Sequence, residues 1–434
     1  MDRFLKIHNK IWFIYFILFL IAPWNYSVDA YTYLTTISLL FFGNIAFILG
    51  RRGYVGSPPI INNYTINNLN LNKIYKLLLL FSIIYLILIF IKWDDIFSSY
   101  GLDINFESAI NLREQTQTNY VMGNNIYGVL SNIFSGFPIV FIIFFFKFRF
   151  QLTKKKKRLI FLISLIYVYT LFLSGGRNGV FLLIIISYFL HFIFKKLKRN
   201  QFYTLNSRQK LYVFTTFIFI FYLFGKIALE RAGTNGILNT YISYLESTNS
   251  NELRDYSKEL LYNSDIQLLY YPFYQFHDYF IQSFYQFEVT LNNLPLNAPY
   301  YGQYNFSSFF LLFNKIGFNI TTVGSILNEI VNPGTYFTLF GALFLDFGFF
   351  GMFISVFVIY FLTGYFLKRF YQKQKFISLV WFIYFYVIII MSPVYSVIGN
   401  SIYPGFLSAL ILISIILKMS FFKKPNSINN IINT

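Results

Sequence analysis

Apolar runs recur along almost the whole chain, and this pattern most limits what the sequence can fold into. A bilayer core of roughly 30 Å needs about 20 apolar residues in a helix, so the shorter runs need flanking residues to complete a span. Ten such runs lie at about Ile11–Trp24, Tyr31–Gly50, Leu77–Ile91, Ile126–Phe146, Leu159–Leu173, Val180–Phe194, Leu211–Leu229, Phe337–Leu367, Phe376–Met391 and Ser401–Leu417. They predict an all-α polytopic membrane protein that forms a single integral membrane domain over residues 1–434.

Composition agrees with this prediction. The 434 residues are 56% hydrophobic and only 12% charged, whereas soluble proteins carry about 25% charged residues. Cys is absent and only three His are present. This excludes a disulfide framework and a Cys-ligated metal site, and no metal is predicted. The sequence also contains no Walker loop, so it predicts no cofactor and no reaction driven by ATP hydrolysis.

The basic residues set the predicted orientation. With the N-terminus inside, 27 of the 35 Lys and Arg residues fall in cytoplasmic segments, and Asp2 is the one acidic residue of 17 that does. This distribution follows the positive-inside rule and places both termini in the cytoplasm. The net charge of +18 is divided among six loops rather than gathered in one patch. Nucleic acid is therefore not an expected partner, whereas membrane lipids are.

Two predicted outer segments are long enough to carry function, residues 92–125 and 230–336. The larger one contains Asp265–Glu288, a stretch rich in Tyr and Phe that Pro272 interrupts. We interpret it as helices that lie in the outer membrane interface with aromatic side chains against lipid. If this stretch spans instead, a second extra span is needed to return the chain, so the sequence allows ten or twelve spans.

A short loop, Ser174–Gly179, joins two apolar runs and contains Arg177. Counting along the preceding helix places Arg177 near the outer edge of the hydrocarbon. Gly-rich backbone at that depth is tolerated when it is buried in protein or lines a wet cavity. A guanidinium there needs a partner, either an acidic side chain or a phosphate group. Both interpretations remain open from the residues alone.

Several other polar residues are candidates for chemistry. Asp346 falls inside the eighth apolar run, where a carboxylate is a functional hypothesis by default and a structural ion-pair or helix-end role is the alternative. Glycines around it are expected to let another helix pack closely. Glu329 lies in the large outer loop, shortly before that run begins. His277 is a candidate base, and Asp278 is the carboxylate that would orient it. Adjacent residues do not share a helix face, however, which argues against this pair on a helix.

The chain resembles the O-antigen polymerases (Wzy), also called oligosaccharide repeat unit polymerases. The similarity lies in the ten or more spans, the large outer loop before the last spans, the Ser174–Gly179 turn and the run Asn332–Gly351. The resemblance implies the fold of multispanning glycosyltransferases that use lipid phosphosugars. It also implies a metal-independent transfer of glycan from undecaprenyl diphosphate to the next lipid-linked repeat unit, at the periplasmic face of the bacterial inner membrane.

The resemblance also implies roles for particular residues. Arg177 matches the outer-face arginine that holds the diphosphate, and the outer-loop residues Arg113, Arg231 and Arg254 are further candidates for the same group. Glu329 is the first choice of general base for the acceptor hydroxyl. The Arg-x15-Gly pattern of some members is missing, because Ser247 and Tyr270 stand sixteen residues after Arg231 and Arg254.

Three alternatives stay open. A lipid-linked oligosaccharide flippase would also be basic and multispanning, but it should have short outer loops. A membrane O-acyltransferase would need a His beside a span on the catalytic side. O-antigen ligases carry a His motif before a late span that this sequence lacks. The expected partners are undecaprenyl-diphosphate-linked oligosaccharides, with a chain-length regulator and a flippase as further candidates.

Overall fold

The computed structural model describes residues 3–22, 28–52, 68–99, 126–173, 177–196, 254–262, 277, 281–293, 300–318, 337–373, 375–399 and 402–422. Within these ranges the chain is almost entirely helical and contains no β-strand. The predicted all-α architecture is confirmed for this part of the chain.

The helices are numbered here in chain order. They are α1 Arg3–Leu20, α2 Ala30–Arg51, α3 Asn68–Ser99, α4 Ile126–Phe134, α5 Gly136–Phe148, α6 Lys154–Leu173, α7 Arg177–Lys196, α8 Asp255–Tyr262, α9 281–293, α10 Ser307–Lys315, α11 Leu339–Lys373, α12 Phe376–Met391 and α13 Ile402–Phe422. A 3-10 turn, Val397–Gly399, precedes α13.

Nine of the ten predicted runs coincide with described helices, and the run Leu211–Leu229 lies outside the described residues. Four helical stretches are long and apolar enough to cross a membrane: Ala30–Arg51, Leu71–Ser98, Ile126–Phe148 and Leu339–Lys373. Three shorter apolar helices accompany them at Leu182–Phe194, Phe376–Met391 and Ile402–Leu417. These helices bury apolar side chains inside the bundle and also expose large apolar side chains on its outer surface. A helix that is apolar on all sides is typical of a membrane protein.

The basic ends of the helices meet at one end of the bundle. Four contacts join them: Arg3 over the Phe192 ring at 4.6 Å, Lys368 Nζ to the Arg52 carbonyl at 2.8 Å, Lys147 over the Phe370 ring at 5.4 Å and Lys156 over the Tyr75 ring at 5.1 Å. These four basic residues thus lie at helix ends that the charge distribution predicts to be cytoplasmic. We call the opposite end, which holds Leu20, Asp29 and Arg177, the distal end.

Helix α1 packs one face against the bundle and leaves the opposite face exposed. His8 Nε2 lies 2.9 Å from the Tyr360 hydroxyl, and the Trp12 indole donates to Ser392 Oγ at 3.0 Å. Both His8 and Trp12 are buried. These polar contacts satisfy groups that would be costly to leave unpaired in an apolar interior, and they fix the rotation of α1 against α11 and α12.

Helices α2 and α11 pack closely because two glycines remove side chains from the contact. A Cβ built on Gly50 would lie 2.1 Å from the Phe361 carbonyl oxygen, and one on Gly364 would lie 2.2 Å from that of Phe47. Small residues allow this kind of backbone approach between membrane helices. Close packing is also found near Asp346, as predicted, since a Cβ on Gly341 would lie 3.3 Å from the Phe287 ring of α9.

Helix α11 is interrupted at Gly348, where φ is 66° and ψ is −174°. L-residues essentially never adopt this conformation, whereas glycine does so at little cost. The first segment, Leu339–Phe347, is buried over Leu339–Asp346. The predicted single span from Phe337 to Leu367 is thus two helical segments that meet at a kink, and Asp346 lies two residues before it.

Candidate functional site at the distal end

Residue Arg177 begins helix α7, four positions after the end of α6 at Leu173. The free backbone N–H groups at a helix N-terminus attract anions, and the aligned peptide dipoles add to the attraction. The start of α7 is pressed against its neighbours, since a Cβ on Gly179 would lie 2.7 Å from Ile402 Cδ1. The Arg177 side chain lies outside the described residues, so its predicted role in phosphate binding stays a prediction.

The His277 side chain is attached to helix α1. Its Nε2 lies 2.8 Å from the carbonyl oxygen of Leu18. Because a carbonyl only accepts, Nε2 carries the proton of this bond. Burial lowers the pKa of His277, with the Leu18 carbonyl acting in the opposite direction. The geometry gives His277 a role in holding its segment to α1, and its predicted neighbour in catalysis, Asp278, lies outside the described residues.

Helix α9, residues 281–293, packs on the distal ends of α1 and α2. The Tyr15 hydroxyl donates to the Ile281 carbonyl at 3.2 Å, and Ser283 Oγ donates to the Pro393 carbonyl at 2.8 Å. Phe284 and Phe287 are buried, and the Phe284 ring lies 5.2 Å from that of Phe19. The expectation that aromatic side chains of this stretch face lipid is therefore wrong for these two, because protein contacts cover them.

A carboxylate pair joins α9 to the start of α2. Asp29 is the N-cap of α2, and its Oδ1 accepts from the Thr32 N–H at 2.7 Å. The Asp29 N–H donates in turn to Glu288 Oε1 at 2.8 Å. In a capping box, one helix supplies both of these acceptors. Here the second acceptor comes from a residue 259 positions away, so the large loop completes the cap.

The environments of these two carboxyl groups push their pKa values apart. Contacts with Thr32 lower the pKa of Asp29. Burial raises the pKa of Glu288, and the charge of Asp29 acts in the same direction. Glu288 could not be predicted from the sequence, because a single Glu at the end of an aromatic stretch carries no local signal of a distant helix cap.

Asp346 is enclosed by hydrogen-bond donors from a turn 41 residues earlier in the chain. Its Oδ1 accepts from the Tyr304 N–H at 2.9 Å, and its Oδ2 accepts from the Asn305 N–H at 2.9 Å and from Asn305 Nδ2 at 2.6 Å. Asn305 Oδ1 accepts in turn from Ser396 Oγ at 2.8 Å. Asp346, Asn305 and Ser396 are all buried. This arrangement is that of a structural clamp, which favours the structural alternative for Asp346.

Arg254 is the one predicted diphosphate-binding residue whose side chain the structure describes. It is half-buried and directly precedes α8. Two residues later, the Tyr256 hydroxyl donates to the carbonyls of Ile21 and Ala22 at 3.0 and 3.1 Å. Arg254 is thus near the distal end of α1. Glu329, Arg113 and Arg231 lie outside the described residues.

The distal end therefore collects the N-terminus of α7, Arg254, His277, the carboxylate pair and the Asp346 clamp. His277 and Asp346 bond to different elements, α1 and the 300–306 turn, and each has a clear packing role. In the described part of the chain, no group of three or more His, Asp or Glu is placed to hold a metal ion.

Comparison of this chain with protein-family models, with curated proteins and with solved structures finds no match. The resemblance to the O-antigen polymerases therefore rests on the sequence features that carry it.

Proposed function

We propose that this chain is an oligosaccharide repeat unit polymerase of the bacterial inner membrane. It would join undecaprenyl-diphosphate-linked repeat units by glycosyl transfer at the distal end of the bundle, which the charge distribution predicts to be periplasmic. Lipid diphosphate is a good leaving group, so the reaction needs stabilisation of the departing charge and a base for the acceptor hydroxyl.

The observation that carries the proposal is the start of helix α7 at Arg177, at the distal end and directly after the Gly-rich sequence of residues 174–176. A helix N-terminus and a guanidinium both attract phosphate oxygens. The long outer segments provide the second support, because a glycan substrate needs an extended surface outside the membrane. In this proposal Glu329 is the base, and Arg113, Arg231 and Arg254 add positive charge around the diphosphate.

Deletion of the gene in the producing bacterium tests the reaction class. Loss of a polymerase should leave surface glycan with a single repeat unit. Loss of a flippase should leave no surface glycan, and loss of an acyltransferase should leave the chain length unchanged. Either of the last two results would contradict the proposal.

Substitution of Glu329 by Gln in the complemented deletion strain tests the assigned base. We expect long chains to be lost while the protein level and the binding of lipid-diphosphate donor are retained. A fully active Glu329→Gln protein would remove this residue from the mechanism without affecting the proposed reaction class.

A further inference from the structure

A groove runs between the distal halves of α1 and α2. Phe16 and Leu20 line it on α1, and Tyr33 and Ile37 line it on α2, around a space of about 180 Å³. The groove opens away from the protein core, since Leu20 is 65% and Ile37 is 55% exposed. Because α2 is apolar and long enough to span a membrane, this opening faces the hydrocarbon of the lipid.

Asp29 lies directly above the groove along α2. Residues four positions apart lie on the same face of a helix, about one turn from each other. Asp29, Tyr33 and Ile37 form such a series, and the Tyr33 N–H bonds to the Asp29 carbonyl. The Asp29 side chain is exposed. The Asp29 carboxylate thus lies at the membrane depth expected for a lipid headgroup. The groove below it is of the kind that receives an acyl chain.

Negative charge at this position has no basic partner among the described contacts. Asp29 Oδ1 and Oδ2 bond to the Thr32 N–H and to Asn292 Nδ2, and Glu288 Oε1 bonds to the Asp29 N–H. The second oxygen of Glu288 is buried without a hydrogen-bond partner. Tyr33, which lines the groove, is close enough to Glu288 to interact with its charge.

We propose that this groove is a binding site for a phospholipid with a primary amine headgroup, of the phosphatidylethanolamine class. One acyl chain occupies the space between Phe16, Leu20, Tyr33 and Ile37, and the ammonium donates to Asp29. Charge complementarity selects the occupant: the paired carboxylates repel an anionic headgroup, and a quaternary ammonium has no N–H to donate. The site is independent of the glycosyl-transfer proposal.

Native mass spectrometry of the purified full chain in detergent tests the proposal. The probes are dioleoylphosphatidylethanolamine, dioleoylphosphatidylcholine and dioleoylphosphatidylglycerol, which share acyl chains and differ in headgroup. The ethanolamine lipid should be retained over the choline lipid by about threefold, the effect of one hydrogen bond, since both headgroups carry a positive charge and only the ethanolamine can donate. Equal retention of these two, or stronger retention of the glycerol lipid, would overturn the proposal.

Two substitutions locate the site. Asp29→Asn removes the charge but keeps the helix cap, since Asn and Asp are comparable N-cap residues, so the ethanolamine preference should disappear. Asp94→Asn, at an exposed carboxylate on α3, is the matched control and should keep it. Ile37→Trp should fill the groove and lower retention of both lipids, whereas Ile48→Trp, similarly exposed on the same helix, should not.

A measurement on the unaltered protein keeps the proposal testable if a variant does not fold. Retention should fall stepwise from the ethanolamine lipid to its N-methyl, N,N-dimethyl and choline forms, because each methyl group removes one N–H donor. A flat series would refute the role of the ammonium. A preference that persists in folded Asp29→Asn protein would refute the assignment of Asp29.

Discussion

At the scale of single residues, Asp346 makes a sharp prediction because three N–H groups point at its carboxylate. Asp346→Asn replaces one acceptor oxygen with a donor that faces other donors. Each hydrogen bond to a charged group contributes about 1.5–3 kcal/mol. We expect the variant to express poorly and to unfold at a lower temperature in detergent, as measured by a thermal-shift assay.

Asp94→Asn is the control for this prediction, because Asp94 is exposed on α3, and it should leave expression and thermal stability unchanged. Normal stability of Asp346→Asn together with loss of glycan polymerisation would contradict the structural role. Asp346 would then belong to the chemistry that the sequence hypothesis first offered for it.

Arg177 carries the residue-scale prediction for the proposed reaction. Its planar guanidinium can donate two parallel hydrogen bonds to phosphate oxygens, which an ammonium cannot match geometrically. Loss of a charged hydrogen bond should therefore slow turnover at least about tenfold, since each 1.36 kcal/mol is a factor of ten in rate. Arg177→Lys should be impaired and Arg177→Ala nearly inactive, in an assay of purified protein with lipid-diphosphate donor.

The alternative role of Arg177, an ion pair within the protein, predicts a different result. Arg177→Ala would then misfold, or a charge-swapped partner would rescue it. Normal turnover and unchanged donor affinity in Arg177→Ala would refute the phosphate role.

At the scale of elements, the docking of α9 on α2 should depend on pH. Burial raises the pKa of Glu288, so the docked state binds a proton more readily than the undocked state and is favoured as the pH falls through that raised value. Asp29 has a lowered pKa, so its contribution is lost only in stronger acid. Hydrogen exchange of residues 281–293, corrected for intrinsic rates, should be slower at pH 5 than at pH 8.

The Glu288→Gln variant isolates the group responsible for this dependence. The amide keeps an acceptor for the Asp29 N–H but does not titrate, so the difference between pH 5 and pH 8 should shrink. If the same difference persists in Glu288→Gln, another group controls the docking of α9.

The contact between α2 and α11 makes a second element-scale prediction. Gly364→Ala would place a Cβ 2.2 Å from the Phe47 carbonyl oxygen, and such overpacking costs about 1–3 kcal/mol or more. The variant should have a lower unfolding temperature. Gly128→Ala is the matched control: its Cβ meets only the Lys92 side chain at 3.5 Å, and Ala stabilises a helix relative to Gly. A Gly364→Ala protein as stable as Gly128→Ala would contradict the close packing.

At the scale of the whole molecule, the helices could be predicted from sequence and the contacts between their ends could not. A helix in hydrocarbon must be apolar over its length, so each span appears in the sequence as a continuous apolar run. The kink at Gly348 could not be predicted in this way, because glycine also occurs in unbroken helices. Asp346 bonds to Asn305, which lies 41 residues earlier, and Asn305 bonds in turn to Ser396, which lies 91 residues after Asn305. Hydrophobic periodicity contains no information on pairs at such separations.

The last prediction concerns the topology of the whole chain. Reporter fusions should read cytoplasmic at Gly56, Lys155, Lys198 and Lys373, and periplasmic at Gln115, Asn251 and Asn297. The basic residues motivate this pattern, because Arg3, Lys147, Lys156 and Lys368 contact neighbouring helices at the ends predicted to be cytoplasmic. A cytoplasmic signal at Asn251 would place the proposed site on the wrong side of the membrane.

Among these fusions, the one at Asn297 decides between ten and twelve spans. Helix α9 ends shortly before it and is attached to the distal end of α2 through Glu288. Shortly after it, the Tyr300 N–H donates to the Leu345 carbonyl at 3.1 Å, in the distal segment of α11. Both flanks are thus held near the distal end, which favours ten spans and a periplasmic reading. With twelve spans, Asn297 would follow an extra crossing, and its reporter would read cytoplasmic while that at Asn251 stays periplasmic.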